Sequence, residues 1–130
     1  MLQVAYLSLF ALAIWCARGD WRLLGLTALV AANVFTPMPS ATALQFYTFC
    51  ASAEIVVAVA ALSLRLPASI PIAAICALLV VCHVLGYQFD GFPAFSPYRL
   101  ICKLLEASEI LCCAIFSRKA LSLLTNRGAP

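Results

Sequence analysis

Apolar residues gather into five stretches along the chain, and polar or helix-breaking residues separate them. Residues 2–17 are apolar and end at the run Arg18-Gly19-Asp20-Trp21-Arg22. Residues 21–36 form a second stretch, with Asp20 placed to cap its first turn and Pro37 and Pro39 placed to stop it. A third, 44–64, closes at Arg65-Leu66-Pro67, and a fourth, 69–87, carries Pro71 where a first helical turn tolerates it. The loop QFDGFPAFSPY then leads into a fifth, 99–117, and a basic tail at 118–130, in which 120–124 can lie as an interfacial helix. The pattern predicts an all-α integral membrane protein, with residues 1–130 forming one domain built as a bundle of five transmembrane helices. The third stretch is long enough to cross a hydrocarbon core of about 30 Å. The first two, at about 24 Å each, are short for that distance and could form a thin hairpin, span with snorkelling ends, or fail to cross fully.

Composition strengthens the membrane reading. Hydrophobic residues make up 65% of the 130 positions and charged residues 10%, with a mean hydropathy of +1.07. Soluble domains carry about 25% charged residues. Arg18, the first basic residue, follows the first apolar run rather than preceding it, so this run is expected to stay in the mature chain and not to act as a secretory signal. A net charge of +3 is too small to suggest nucleic acid, but its placement is informative. With five crossings, Arg18, Arg22, Arg65, Arg118, Lys119 and Arg127 fall on one side of the membrane. The other side has only Arg99, at its edge. The positive-inside rule then predicts an outside N-terminus and a cytoplasmic C-terminus.

The fifth stretch, RLICKLLEASEILCCAIFS, is apolar enough to span yet contains Arg99, Lys103, Glu106 and Glu109. At about 100° per residue these four share one flank, which Cys102, Cys113 and Ser117 continue. A charge at mid-bilayer costs at least about 2.5–3.5 kcal/mol, so Glu106 and Glu109 are expected to face protein or water. Glu54 falls near the centre of the third stretch, and His83 lies in the outer third of the fourth. Lys103 and Glu106, at i and i+3, can pair on their own helix. Glu54, His83, Lys103, Glu106 and Glu109 thus form the expected intramembrane polar cluster. Its role is either to fix helix association or to serve as a proton or cation pathway through the three glutamates.

No metal site is expected. Di-metal bundles use Glu-x-x-His pairs, whereas here Glu106-x-x-Glu109 stands with one distant His83. The seven cysteines, Cys16, Cys50, Cys76, Cys82, Cys102, Cys112 and Cys113, include no CxxC pair and read as small buried hydrophobes. No Ser-His-Asp set, phosphate loop or HExxH is present, so neither catalytic residues nor a cofactor are expected. Ala51, Glu54, Ala58 and Ala61 share a face suited to close helix packing, and Ala28, Ala32 and Asn33 sit together in the second stretch. The outer loop offers Phe89, Asp90, Phe92, Phe95 and Tyr98 either as an interfacial aromatic belt or as a partner-docking surface. Trp15 and Trp21 are belt residues at the opposite boundary.

The segment SPYRLICKLLEASEILCCAIFSR and the general layout resemble small hydrophobic membrane proteins encoded by bacteriophages and prophages, including those of lysis cassettes. The resemblance implies a holin-like protein of the bacterial inner membrane, which self-associates and permeabilises the membrane for an endolysin. Holins usually have one to four crossings and a highly charged tail; this chain departs on both counts, and no residue role is carried over from them. Two other functions fit the residues: a proton-coupled small transporter or channel using the intramembrane carboxylates, and an accessory subunit of a larger membrane complex. The expected partners are the lipid bilayer and either further copies of the chain or such a complex.

Overall fold

The computed structural model describes residues 2–35, 42–89, 97–117 and 121–122. Among them the chain is all-helical, with five helices and no strand: α1 Leu2–Ala17, α2 Trp21–Phe35, α3 Ala43–Leu64, α4 Ser69–Phe89 and α5 Pro97–Ile115. Two of these, α3 and α4, are long and apolar enough to cross a membrane.

Local chemistry sets the helix ends. The Asp20 carboxylate accepts from the backbone N–H groups of Arg22 and Leu23 at 3.1 and 3.3 Å, which begins α2 at Trp21. An N-cap of this kind contributes about 0.5–2 kcal/mol. Asp20→Ala should lower the melting temperature of the detergent-solubilised protein, and Asp20→Asn should preserve it. Thr42 caps α3 by accepting from Gln45 N at 3.2 Å. Arg65 ends α3 in the left-handed region at φ 51°, and its N–H donates to the Leu62 carbonyl. Ser69 then ties the turn together: its Oγ accepts from Leu66 N at 2.8 Å and donates to the Ala61 carbonyl at 2.5 Å. The result is a tight α3–α4 hairpin, the most extensive helix pairing in the molecule.

α2, α3, α4 and α5 close into a ring in which each packs on the next and α5 packs back on α2; α1 lies over the α2–α5 seam. Every helix buries a stripe at three- and four-residue spacing. On α1 it is Tyr6, Phe10, Ala13 and Ala17; on α3, Tyr47, Cys50, Glu54, Val57 and Ala61; on α4, Ser69, Ile72, Cys76, Leu79 and His83. The opposite faces are also apolar, with Val56, Val59, Ile70, Leu78, Val81 and Leu104 exposed. The inside therefore differs from the outside in residue size and polarity rather than in hydrophobicity. Small and polar residues are buried beside aliphatics such as Val57, Ile72 and Leu79, whereas the outward faces of α3 and α4 are mostly branched aliphatics.

The expected helix boundaries hold to within two residues. α4 runs on to Phe89, and α5 starts at Pro97, whose missing N–H suits a first turn. Both extensions take residues from the expected outer loop.

Candidate functional site

The hairpin brings residues equidistant from its turn face to face. Ala61 meets Ser69 close to the turn, and further along the same seam Glu54 of α3 meets Cys76 of α4. α5 adds Glu109, whose Oε1 accepts from the Cys76 thiol at 2.9 Å. α2 adds Asn33, whose Nδ2 donates to Glu54 Oε1 at 2.8 Å. Each of the four ring helices thus contributes one polar side chain to a single layer. The donor atoms of Glu54, Cys76 and Glu109 all lie within 4.8 Å of one another.

This layer divides the interior. On the side of the α3–α4 turn lies a continuous apolar core that includes Leu26, Val30, Val57, Ile72, Ile110 and Cys113. Towards the other end of the hairpin the buried residues are Tyr47, Cys50, Leu79, His83 and Cys102, several of them able to carry exchangeable protons.

Glu54 is 4% exposed and Glu109 is fully buried. Each uses Oε1 in its hydrogen bond, and each leaves Oε2 buried with no hydrogen-bond partner. A buried polar atom left unsatisfied costs about 1–3 kcal/mol. Among the described residues, no lysine, arginine or histidine stands within ion-pair reach of either carboxyl. Two negative charges this close in an apolar interior require a proton or a bound cation to balance them.

The five residues of the expected cluster separate into three groups. Glu54 and Glu109 form the interior pair. Lys103 and Glu106 pair on α5 at 2.6 Å, as their i, i+3 spacing predicts, and the ammonium also lies 5.5 Å from the centre of the Tyr6 ring on α1. Tyr6 fixes this contact by donating its hydroxyl to the Lys103 carbonyl at 2.5 Å. His83 lies with neither group: its Nδ1 meets the Tyr98 hydroxyl at 2.6 Å near the far end of the hairpin.

That bond belongs to a residue expected in the outer loop. Tyr98 belongs to the first turn of α5 and turns inward because Gly86 leaves room for its ring against α4. Its ring also packs edge-on against Tyr47, with centroids 5.5 Å apart. Phe89 is likewise the last residue of α4 rather than a loop residue. Asp90, Phe92 and Phe95 lie outside the described residues, as do Arg118, Lys119 and Arg127 of the tail.

Cys76 and Asn33 were not among the expected site residues. Cys76 looked like one more small hydrophobe, and Asn33 only a neighbour of a small-residue pair. The available signal was the hairpin register, since Glu54 and Cys76 stand at matched distances either side of Arg65.

The fold and site together define an all-helical protein with two helices of membrane-crossing length and an acid pair buried among its helices. No family model, curated protein or solved structure matches the chain.

Proposed function

We propose that the chain is a five-crossing protein of the bacterial inner membrane, N-terminus outside and C-terminus cytoplasmic, that moves a small cation across it. The cation, a proton or a metal ion, is held in passage by Glu54 and Glu109. One observation carries the reading: two carboxyl groups from different helices stand together at mid-bundle, each with a free oxygen and no cationic residue to balance them. Intramembrane acids are costly and characteristically mark ion or proton pathways.

The surroundings support it. Only 28% and 33% of the most apolar windows of α3 and α4 are buried, whereas a core helix of a soluble protein is mostly buried. The exposed remainder is a belt of branched aliphatics suited to lipid. Between one end of the hairpin and the acid pair the buried residues are Tyr47, Cys50, Leu79, His83 and Cys102, four of which carry exchangeable protons, whereas Val30, Val57, Ile72 and Ile110 on the other side are apolar.

Vesicles containing the purified protein test the proposal. An imposed proton or zinc gradient should dissipate faster than in empty vesicles; a rate equal to that of empty vesicles for both ions would overturn it. Topology is tested separately by reporters fused at Met1 and Pro130, which should report opposite sides of the membrane. Both on one side would refute five crossings.

The holin-like reading stands second. It rests on the resemblance of the fifth segment, and self-association would have to proceed through the lipid-facing belt. Abrupt, timed killing on expression, unchanged in the Glu54→Gln and Glu109→Gln variants, would put it first.

A further inference from the structure

We infer that Glu54, Cys76 and Glu109 form a binding site for a divalent transition-metal ion, with zinc the natural probe. The inference rests on the cation reading above and names the class of ion it would serve.

Three donors of suitable chemistry come from three helices and converge to within 4.8 Å of one another, all of them at least nine-tenths buried. Ligands around one zinc ion stand about 2.0–2.3 Å from the metal, and hence roughly 3.5 Å apart in a tetrahedron. Closing the present arrangement onto an ion therefore takes side-chain shifts of about an ångström and no change in helix packing. The second observation is the pair of carboxyl oxygens, Glu54 Oε2 and Glu109 Oε2, which are buried at the cluster and, as carboxylate oxygens, receive no donor. A metal ion supplies the partner that both of them lack.

The donor types select the ion. A thiol beside two carboxylates disfavours magnesium and calcium, which take oxygen ligands alone, and suits zinc and its neighbours. Three protein ligands leave a fourth position open, the pattern of sites whose metal or its ligand exchanges, rather than the closed four-ligand pattern of structural zinc. Asn33 holds Glu54 through its Oε1, leaving Oε2 for the metal, which is the usual work of an outer hydrogen-bond partner. Binding is linked to pH. The three donors are neutral when protonated, and each must lose its proton to ligate, so a divalent ion enters as the thiol and both carboxyls release theirs, and zinc should bind more tightly as pH rises.

Zinc titrated into the detergent-purified protein should bind saturably at one ion per chain, and magnesium should not compete. Cadmium should give a sulfur-to-metal charge-transfer band in the near ultraviolet. Cys76→Ser should remove that band and weaken zinc at least tenfold, and Glu54→Gln and Glu109→Gln should each weaken zinc at least tenfold. Cys16→Ser, which alters a partly buried thiol of α1 outside the layer, should leave both signals in place. Each variant is compared at equal folded fraction by gel filtration and circular dichroism. A chain carrying Cys76 as its sole cysteine should retain the cadmium band, so the assignment does not depend on the serine variant alone. No saturable zinc binding, or binding indifferent to Cys76→Ser and to both glutamine variants, would overturn the inference. If proton flux persisted in that case, the cation reading would survive without the metal. Zinc bound at these three residues with no flux of either ion would support the site and overturn the transport reading.

Discussion

Glu109→Gln is expected to leave the bundle assembled and to reduce cation movement to the level of empty vesicles. Glutamine matches glutamate in length, and its amide oxygen can accept from the Cys76 thiol as Oε1 of Glu109 does at 2.9 Å. Its NH2 group can occupy the place of the unbonded Oε2, and the fully buried position keeps a side chain of nearly the same volume. Interhelical hydrogen bonds in membrane proteins are worth about 0.6 kcal/mol on average and at most about 1.7, so even an imperfect replacement costs little stability. What is lost is the negative charge and the ability to release a proton. On the transport proposal, a cation would then meet one carboxylate instead of two, and a proton one acceptor instead of a pair. Glu54→Gln should have the same effect, because its carboxylate belongs to the same pair through its donor distance to Glu109. The double variant should be no worse than either single one, as expected for residues acting as a unit. Flux and thermal melting measured on the same preparations check this. Flux in either single variant equal to wild type, with the protein folded, would show that the pair serves packing alone. Glu109→Leu provides the contrast: it leaves the Cys76 thiol without its acceptor and should lower the melting temperature as well.

Much of this arrangement was legible in the residues, and the parts that were not have identifiable causes. The helices could be read because proline, glycine and clustered polar residues interrupt the apolar runs, and such interruptions need no tertiary information. Local pairings were legible too: Asp20 caps α2, and Lys103 takes Glu106, since both depend on separations along one helix. The faces of α3 and α4 were harder. With aliphatics on every side, hydrophobicity gives no direction, and only the placement of Glu54, Cys76 and the small residues marks the inward stripe. Contacts between segments distant in sequence were the hardest. Asn33 reaching Glu54 and Cys76 reaching Glu109 depend on which helices are neighbours, and one chain with short connections allows several ring orders. His83 was read only as a residue in the outer third of the fourth stretch, because its partner, Tyr98, came from a segment that looked like loop.

The same His83–Tyr98 contact accounts for the second large effect, which is structural: Gly86→Ala should destabilise the bundle although alanine is the better helix former. In an exposed helix interior the change would gain about 1 kcal/mol. At position 86 a new Cβ would stand 2.7 and 2.8 Å from two carbons of the Tyr98 ring and 2.9 Å from one of Tyr47. Comfortable carbon–carbon separations are about 3.5–4.0 Å, so both rings must move by most of an ångström. Ring atoms at the end of a side chain can often yield, but these two hold each other. Tyr47 and Tyr98 pack edge-on, Tyr47 also packs edge-on against Tyr87, and Tyr98 is tied to His83 at 2.6 Å. Overpacking of a well-filled site costs about 1–3 kcal/mol, which outweighs the propensity gain over most of that range. Gly86→Leu should cost more, because the rings cannot clear a branched side chain without leaving the bundle. Pairing Gly86→Ala with Tyr98→Leu should recover the part of the loss that comes from the two Tyr98 contacts and free Tyr47 to shift away from its own 2.9 Å approach. Melting of the two single variants and the double variant in detergent gives the coupling directly. A melting temperature raised by Gly86→Ala, or strict additivity in the double variant, would mean that Gly86 does not hold the aromatic end of the bundle open for Tyr98.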